Sequence, residues 1–271
     1  MTRVHPSALI DATARIDDDV EIGPFSVVGP QVHIGARTRI GAHVVIHCNT
    51  RIGTDNRIFP FASIGADPQD KKYGGEETWL EIGNGNTIRE CVTLNRGTVQ
   101  DRTVTRIGDD NWIMAYVHVA HDCIVGDHTI FANSTNLGGH VEIGDWAILG
   151  GASQVHQFCK IGAHAMTGTG TVVLHDVPPY VMVSGNTAAA HGLNSEGLRR
   201  RGFSPARIEA LRRAYRTLYR SGLTLQQAIE ALRAERDEVT STPEAAQGPA
   251  QLADLELLVG FLGRVERGIV R

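Results

Sequence analysis

The sequence is short of aromatic residues and of long hydrophobic runs. Phe, Trp and Tyr make up only 6% of the 271 residues, although globular cores usually rely on large rings. No stretch approaches the ~20 consecutive apolar residues of a membrane span, and the first residues lack the apolar segment of a signal peptide. We therefore expect a cytoplasmic protein that does not insert into a membrane.

Cysteine is also scarce, and its spacing excludes two classes of site. Cys48, Cys91, Cys123 and Cys159 fit neither a zinc-ligand spacing nor a redox CxxC motif. We interpret these four residues as reduced and mostly buried side chains.

A six-residue repeat of aliphatic residues runs through the first two-thirds of the chain. From Val4 to Ile64 an aliphatic residue stands at every sixth position, and the pattern resumes at Ile82 and at Ile107, with Thr167 as one polar exception. A helix needs apolar residues at every third or fourth position and a strand at every second, so this period fits a solenoid of short strands. Three repeats then make a triangular coil of about eighteen residues, and coils stack about 4.8 Å apart.

Glycine is abundant, with 30 residues, and often follows the repeated aliphatic residue, as in Ile34-Gly35 and Ile52-Gly53. At these positions a side chain would crowd the bend of the coil. The repeat predicts a mainly β fold, with a parallel β-helix over residues 1–190. Two segments, 66–80 and 95–106, interrupt the repeat and are predicted to be loops, which often carry ligand contacts on a rigid scaffold.

Helix signals replace the repeat in the last third, which predicts a small α-helical domain at 191–271. Ser204-Pro205 has the pattern of an N-cap followed by proline at the first helical position. Thr224 and Gln227 form a capping box at the start of the next helix. A flexible linker at 241–249 and a last helix from about Leu252 to Val265 complete the prediction.

The predicted helical segment is the basic part of an acidic protein. Residues 1–190 hold 13 Lys or Arg and 20 Asp or Glu, whereas residues 191–238 hold 10 Arg and 6 Asp or Glu. Such a run is either a solvated face or a surface for an acidic protein partner or a substrate phosphate. The net charge of −4 and the absence of interleaved aromatic residues argue against nucleic acid.

Three of the 12 histidines lie near one edge of the predicted prism. His121, His140 and His156 are each within two residues of a coil step, so their imidazoles can line one cleft, with His118 nearby. Asp122 follows His121, and a carboxylate beside an imidazole raises its basicity and fixes its tautomer, as a general base requires. The alternatives are polar corner residues or a zinc site, since three facing histidines also hold zinc.

Six short motifs stand out along the chain. They are Gln69-Asp70-Lys71-Lys72-Tyr73, His118-Val119-Ala120-His121-Asp122-Cys123, Gly138-Gly139-His140-Val141, Val155-His156-Gln157-Phe158-Cys159, Asp176-Val177-Pro178-Pro179-Tyr180 and Glu196-Gly197-Leu198-Arg199-Arg200-Arg201-Gly202-Phe203. Together they resemble the acyl-carrier-protein-dependent UDP-N-acetylglucosamine O-acyltransferases of lipid A synthesis, and the resemblance covers essentially the whole chain. It implies a left-handed β-helix and a homotrimer with its sites between adjacent prisms. No cofactor is implied, because phosphopantetheine arrives on the carrier protein.

The resemblance also implies roles for individual residues in the first step of lipid A biosynthesis. His121, oriented by Asp122, would take the proton of the glucosamine 3-hydroxyl as it attacks the thioester of a 3-hydroxyacyl carrier protein. The backbone N–H of Gly139 would hold the oxyanion. The implied substrate contacts are Asp70, Lys72, His118, His140, His156 and Gln157, and those to the nucleotide and its phosphates are Asn194, Glu196, Arg200 and Arg201. No residue is assigned to a metal.

Two positions depart from the pattern of this family. Thr169 replaces a glycine that sets acyl length in well-known relatives, so we expect a shorter accepted chain. Asn95 stands where many relatives have histidine. The alternative functions are a related hexapeptide N-acyltransferase, disfavoured because that family carries an N-terminal domain before its β-helix, and an inert or metal-binding β-helix of the carbonic-anhydrase type, whose pair of histidines five residues apart is missing.

Overall fold

The structure is a computed structural model that describes residues 1–241 and 249–271. The linker predicted at 241–249 therefore lies largely outside the described residues. Nearly all strands of the described chain are two to four residues long, and each strand passes to the next of three sheets in turn. The chain thus winds through three walls per coil, which confirms the predicted parallel β-helix.

Each sheet takes every third strand along the coil, and all pairings between coils are parallel. Sheet A contains β1 (Arg3–Val4), β4 (Glu21–Ile22), β7 (Arg39–Ile40), β10 (Arg57–Ile58), β13 (Thr87–Ile88), β16 (Trp112–Ile113), β19 (Ile130–Phe131), β22 (Ile148–Leu149) and β25 (Met166–Thr167). Sheet B contains β2 (Leu9–Ile10), β5 (Val27–Val28), β8 (Val45–Ile46), β11 (Ser63–Ala66), β14 (Thr93–Asn95), β17 (His118–Val119), β20 (Asn136–Leu137), β23 (Gln154–Val155) and β26 (Val172–Val173). Sheet C contains β3 (Arg15–Ile16), β6 (His33–Ile34), β9 (Thr50–Ile52), β12 (Trp79–Ile82), β15 (Val104–Ile107), β18 (Ile124–Val125), β21 (Glu142–Ile143) and β24 (Lys160–Ile161).

The repeated aliphatic residues form the interior of the coils. Ile34, Ile64 and Ile113 are fully buried, as the six-residue period predicts. The polar exception, Thr167, is also fully buried; its hydroxyl accepts a 2.9 Å hydrogen bond from the Gly150 N–H and lies 2.7 Å from the Ser153 hydroxyl. These partners offset the cost of burying a hydroxyl inside an aliphatic column.

Glycine is required where neighbouring coils approach each other. A Cβ added at Gly35 would lie 2.6 Å from the carbonyl carbon of Gly53 on the next coil. That distance is well inside van der Waals contact, so the expected crowding at the bend is confirmed.

The corners of the prism need a residue in the left-handed backbone region about once every six residues, and most of these residues are not glycine. We name each corner after the sheets it joins in chain order, as AB, BC and CA. Residues with positive φ at the BC corner are Gln31, Asn49, Asp122, His140 and Phe158.

The described residues of the last third form a hairpin and four helices. Strand β27 (Val181–Ser184) extends sheet A in parallel and pairs in antiparallel fashion with β28 (Ala189–Leu193). The helices are α1 (Ser195–Arg200), α2 (Pro205–Tyr219), α3 (Leu225–Ser241) and α4 (Pro249–Leu262). Their apolar faces enclose a second core, which includes Leu198, Leu211, Leu232 and Leu258.

The predicted helix caps are present, whereas one helix and the hairpin were missed. The Ser204 side chain accepts a hydrogen bond from the Arg207 N–H, and Thr224 and Gln227 bond each other reciprocally at 3.0 and 3.2 Å. Helix α4 begins and ends earlier than predicted. Among the described residues, no helix has the length and apolarity needed to cross a membrane.

Candidate active site

The BC corner places two pairs of candidate residues on consecutive coils. Strand β17 pairs with β20 so that His118 lies opposite Asn136. The turns that follow these strands therefore bring His121 next to Gly139 and Asp122 next to His140. Asp122 and His140 are corner residues, with φ of 58° and 64°.

His121 and Asp122 form a buried pair. Nδ1 of His121 lies 2.9 Å from Oδ2 of Asp122; the carboxylate is fully buried and the imidazole is 12% exposed. Burial acts to raise the pKa of Asp122, but hydrogen bonds from His121 and Thr98 outweigh it and hold that pKa below its usual value. The carboxylate therefore fixes the Nδ1–H tautomer of His121 and leaves Nε2 as a proton acceptor.

The second loop supplies the remaining partners of Asp122. The Thr98 N–H donates to both carboxylate oxygens at 2.9 and 3.1 Å, and its hydroxyl donates to Oδ2 at 2.6 Å. The Arg102 N–H lies 3.3 Å from Oδ1, and its guanidinium donates to the backbone oxygen of Asp122 at 2.9 Å. This loop, between β14 and β15, thus donates several hydrogen bonds to the Asp122 carboxylate and fixes its position.

Gly139 lies against the ring of His121. A Cβ at Gly139 would stand 2.6 Å from Cε1 and 2.7 Å from Nε2 of that imidazole. Among the described residues the Gly139 N–H has no hydrogen-bond acceptor, so it remains free to donate beside the base.

His140 stands edge-on to His121, with ring centroids 5.0 Å apart, and stacks on Phe158 of the next coil at 4.4 Å. Nδ1 of His140 lies 2.7 Å from Oδ2 of Asp101, a residue of the second loop, and 3.9 Å from Oδ2 of Asp122. The two imidazoles thus face different carboxylates.

His118, His156 and Gln157 have separate environments along the same corner. His118 accepts or donates a 2.7 Å hydrogen bond with the Thr93 hydroxyl, and burial, aided by His121, lowers its pKa. Nδ1 of His156 lies 3.0 Å from the backbone oxygen of Gln157, and both residues are exposed on the following coil. The described hydrogen bonds do not join these two residues to His121 or His140.

The first loop, between β11 and β12, brings Asp70 to the histidines. The backbone N–H of Lys72, 3.0 Å from the carboxylate, is the main reason that the pKa of Asp70 is lowered, and Lys72, His121 and His140 add to the effect. Buried Arg96 holds this loop through the Gly65 oxygen at 2.6 Å, the Tyr73 hydroxyl at 2.9 Å and an ion pair with Asp67.

Comparisons with known proteins point to one family. The model of UDP-N-acetylglucosamine O-acyltransferase domain 2 matches residues 176–270, and the bacterial transferase hexapeptide model matches residues 2–48 and 105–139. The acyl-[acyl-carrier-protein]--UDP-N-acetylglucosamine O-acyltransferase of Thiobacillus denitrificans is 59% identical over 271 residues, all of both chains. The crystal structure of the Moraxella catarrhalis RH4 UDP-N-acetylglucosamine O-acyltransferase superposes with a TM-score of 0.92, at 48% identity over 99% of each chain. LpxA from Acinetobacter baumannii gives a TM-score of 0.90 at 52% identity, again over 99% of each chain.

This chain belongs to the UDP-N-acetylglucosamine O-acyltransferase family. The family assigned from sequence motifs is thereby confirmed, and the match extends from the coils through the helical segment.

The four residues that family resemblance assigned to the nucleotide lie at a different corner from His121. A cavity of about 580 Å³ opens on the outer face of sheet A beside the CA corner, where it is lined by Asn194, Glu196, Arg200 and Arg201 together with His128 and Trp146. Within a single chain the structure therefore does not bring His121 and these residues together.

The members of this second group differ in how free they are to bind a ligand. Asn194 is buried, caps α1 through the Gly197 N–H and donates to the His164 oxygen at 3.1 Å. Arg201 donates to the Trp146 oxygen at 2.8 Å, and burial lowers its pKa. Arg200 is exposed and pairs with Glu196 at 3.1 Å.

The two departures from the family pattern lie in different places. Thr169 is exposed in the turn between β25 and β26 at the AB corner, away from the BC corner. Asn95 is buried, and its amide donates to the Asp67 and Ala66 oxygens at 2.6 and 3.3 Å, so it joins the two loops. Asn95 therefore stabilises the loops at a position where many relatives have histidine.

A metal site at this corner meets an electrostatic difficulty. His121, Asp122 and His140 each offer a ligand atom, all within 4.8 Å of one another. However, the ring Nδ1 atoms already face Asp122 and Asp101, and Thr98 and Arg102 point N–H donors at the Asp122 oxygens. A cation bound there would displace those hydrogen bonds, whereas proton transfer uses them.

Sequence reasoning missed Thr98, Asp101 and Arg102 as parts of the site. The segment that carries them was predicted as a loop, but no repeat or spacing signal links them to Asp122, because their contacts depend on the path of that loop. Their polar composition beside an interruption of the repeat was the one available hint.

Proposed function

We propose that the protein transfers a 3-hydroxyacyl chain from acyl carrier protein to the glucosamine 3-hydroxyl of UDP-N-acetylglucosamine, the first step of lipid A biosynthesis. The observation that carries the proposal is the Asp122-bound His121, whose Nε2 is free beside the unpaired N–H of Gly139. The names of the relatives, which specify this acyl donor and this sugar nucleotide, support the same reaction.

In the proposed reaction His121 is the general base and then the general acid. The 3-hydroxyl oxygen attacks the thioester carbon while Nε2 takes its proton, and the Gly139 N–H donates to the oxyanion. Collapse of the tetrahedral intermediate breaks the C–S bond, and the imidazolium returns the proton to the leaving thiolate. The products are the acylated sugar nucleotide and the carrier protein with a free phosphopantetheine thiol. No cofactor or metal takes part.

The other substrate contacts remain those that the resemblance implies. The charges of His121 and His140 help to lower the pKa of Asp70. Asp70 would orient the sugar together with Lys72. His118, His140, His156 and Gln157 would line its path along the BC corner. Asn194, Glu196, Arg200 and Arg201 would bind the nucleotide in the cavity at the CA corner, and Thr169 would limit the acyl length.

The separation of the two corners supports a homotrimer. The base lies at the BC corner and the nucleotide cavity at the CA corner, so a second copy of the chain must present its CA corner to complete one site. Three copies around a threefold axis form a closed ring in which each BC corner meets the CA corner of the next copy. We place this trimer in the cytoplasm, which is consistent with the absence of disulfides among the four cysteines.

A transfer assay tests the function. UDP-N-acetylglucosamine is incubated with carrier proteins that bear 3-hydroxyacyl chains of several lengths, and the products are identified by mass spectrometry. We expect one 3-O-acylated product per free carrier thiol, no product from the 3-deoxy sugar nucleotide, and a preference for shorter chains. Absence of transfer from every carrier would refute the function; a preference for the longest chain would refute the role of Thr169. Loss of activity with a chelator would favour a metal site.

A further inference from the structure

Two imidazoles converge on a single carboxylate oxygen at the BC corner. Oδ2 of Asp122 lies 2.9 Å from Nδ1 of His121 and 3.9 Å from Nδ1 of His140. If His140 moved by about one ångström, it would compete with His121 for that oxygen.

The close carboxylate partner of His140 is Asp101, not Asp122. Its Oδ2 lies 2.7 Å from Nδ1 of His140, which is shorter than the distance between His121 and Asp122. The imidazole is 13% exposed and the carboxylate 36%, so the pair is partly shielded from water. Stacking of His140 on Phe158 at 4.4 Å keeps the ring in the plane that this contact requires.

The loop that carries Asp101 is held in place by its neighbours. The Thr98 oxygen accepts a backbone hydrogen bond from Asp101 at 3.4 Å, and Thr98 itself is bound to Asp122. Arg102 donates to Glu142 at 2.7 Å, and Glu142 also pairs with Arg264 after α4 at 3.2 Å. The position of Asp101 is therefore set from both sides.

We infer that Asp101 is a positioning residue that holds His140 away from Asp122, so that Asp122 orients His121 alone. The inference rests on the proposed role of His121 as base. Without the Asp101 carboxylate, the Nδ1–H of His140 turns towards Oδ2 of Asp122, and the His121 imidazolium loses part of its stabilisation. Misplaced or shared partners of this kind cost about ten- to a hundredfold in other sites.

The pH dependence of the reaction reports this change directly. A less stabilised imidazolium makes His121 a weaker base, so the acidic limb of kcat/KM moves to lower pH while its plateau falls. The other charged or titratable groups near the two histidines are Asp70, which is paired with Lys72, together with Arg102 and His118.

The test compares Asp101→Ala and Asp101→Asn with a matched control, Asp18→Ala, which removes an exposed carboxylate from an early coil. We expect Asp101→Ala to lower kcat about tenfold and to shift the acidic limb to lower pH. Asp101→Asn keeps a neutral hydrogen-bond acceptor for His140 and should therefore give a smaller loss of kcat. Asp18→Ala should have the same kcat and the same acidic limb as the unmodified chain.

A double-mutant cycle separates positioning from a general charge effect. Phenylalanine is accommodated at the equivalent corner position, as Phe158 shows with φ of 66°, so His140→Phe preserves the stack without a ring nitrogen. In the His140→Phe background we expect Asp101→Ala to have no further effect on kcat or on the acidic limb. Equal effects in both backgrounds, or no effect in the unmodified chain, would overturn the inference. Lack of transfer by the unmodified chain would instead refute the proposed function.

Discussion

At Gly139 the backbone of one coil passes within van der Waals contact of the proposed base. A Cβ there would stand 2.6 to 2.7 Å from the ring of His121, so the ring must shift. We expect Gly139→Ala to lower kcat by about a hundredfold, the effect of a misplacement of about 1 Å, with little change in stability. Steady-state kinetics and thermal unfolding measure the two quantities. A matched control is Gly222→Ala between α2 and α3, where a Cβ meets nothing within 4 Å but φ is positive, so stability alone should respond. Full activity of Gly139→Ala would contradict the close approach.

His164 links the stability of the fold to pH. Burial, helped by Arg201 and Arg207, lowers its pKa from 6.5 to about 4. In the unfolded chain it binds a proton near pH 6.5, whereas the folded state resists protonation until about pH 4. The stabilisation is therefore complete above pH 6.5 and is lost as the pH falls towards 4, up to about 3 kcal/mol.

Urea unfolding at several pH values checks this linkage. His164→Phe keeps the stack on Tyr180 but removes the titrating group, so we expect the fall in stability between pH 6.5 and 4 to become shallower. The exposed His5, replaced in the same way, is the control and should leave the slope unchanged. If the free energy of unfolding of His164→Phe fell as steeply between pH 6.5 and 4 as that of the unmodified chain, groups other than His164 would be responsible for the fall.

At the scale of elements, the first loop depends on a single buried cation. Arg96 is 3% exposed and bonds to the Gly65 oxygen, the Tyr73 hydroxyl and Asp67. Arg96→Met keeps the length of the side chain but removes these donors, so we expect the loop that carries Asp70 to open. Limited proteolysis should then cleave at 67–78, and KM for the sugar nucleotide should rise about tenfold, the cost of one lost charged hydrogen bond.

The half-buried Arg89, which pairs with Glu90, offers the matched control for that change. Arg89→Met should leave both the resistance of residues 67–78 to cleavage and the KM for the sugar nucleotide unchanged. Equal resistance of Arg96→Met and the unmodified chain would show that Arg96 does not hold the loop.

The elements also show which parts of the fold are readable from sequence. The six-residue period follows from one inward side chain per wall, so the regular spacing of residues such as Ile34 and Ile64 is enough to predict the coils. The helix caps at Ser204 and Thr224 are local and were equally readable. Helix α1 and the β27–β28 hairpin were not, because α1 has only six residues and the hairpin depends on the pairing of β27 with β25 of sheet A. Left-handed corners are filled by residues as unlike as Asp122 and Phe158, so composition does not reveal them.

The site was predictable only in part, for a related reason. Asp122 follows His121 directly, and Gly139 lies one coil after His121, so a fixed period relates them. Asp101 and Arg102 reach the same corner through a loop whose path has no period. The residues proposed to bind the nucleotide were assigned by resemblance, and their separation from His121 is visible only once the chain is wound through its three walls.

At the scale of the whole molecule, the two corners predict complementation between chains. A His121→Ala chain retains the proposed nucleotide cavity, and an Arg200→Ala chain retains the proposed base. In a mixed homotrimer some interfaces pair the intact halves, so co-expressed variants should regain activity that neither has alone. Light scattering should give a mass of three 29.3 kDa chains. A monomer mass, or no recovery of activity, would contradict a site shared between copies.

The central claim is that the Asp122-oriented imidazole of His121 is the base for acyl transfer. The most direct measurement is the initial rate of 3-hydroxyacyl transfer by His121→Ala, with His5→Ala as the exposed-histidine control. The account predicts at least a hundredfold loss of kcat for His121→Ala, the range expected for a general base, at an unchanged unfolding temperature, and no loss for the control. An unchanged transfer rate in folded His121→Ala would contradict it.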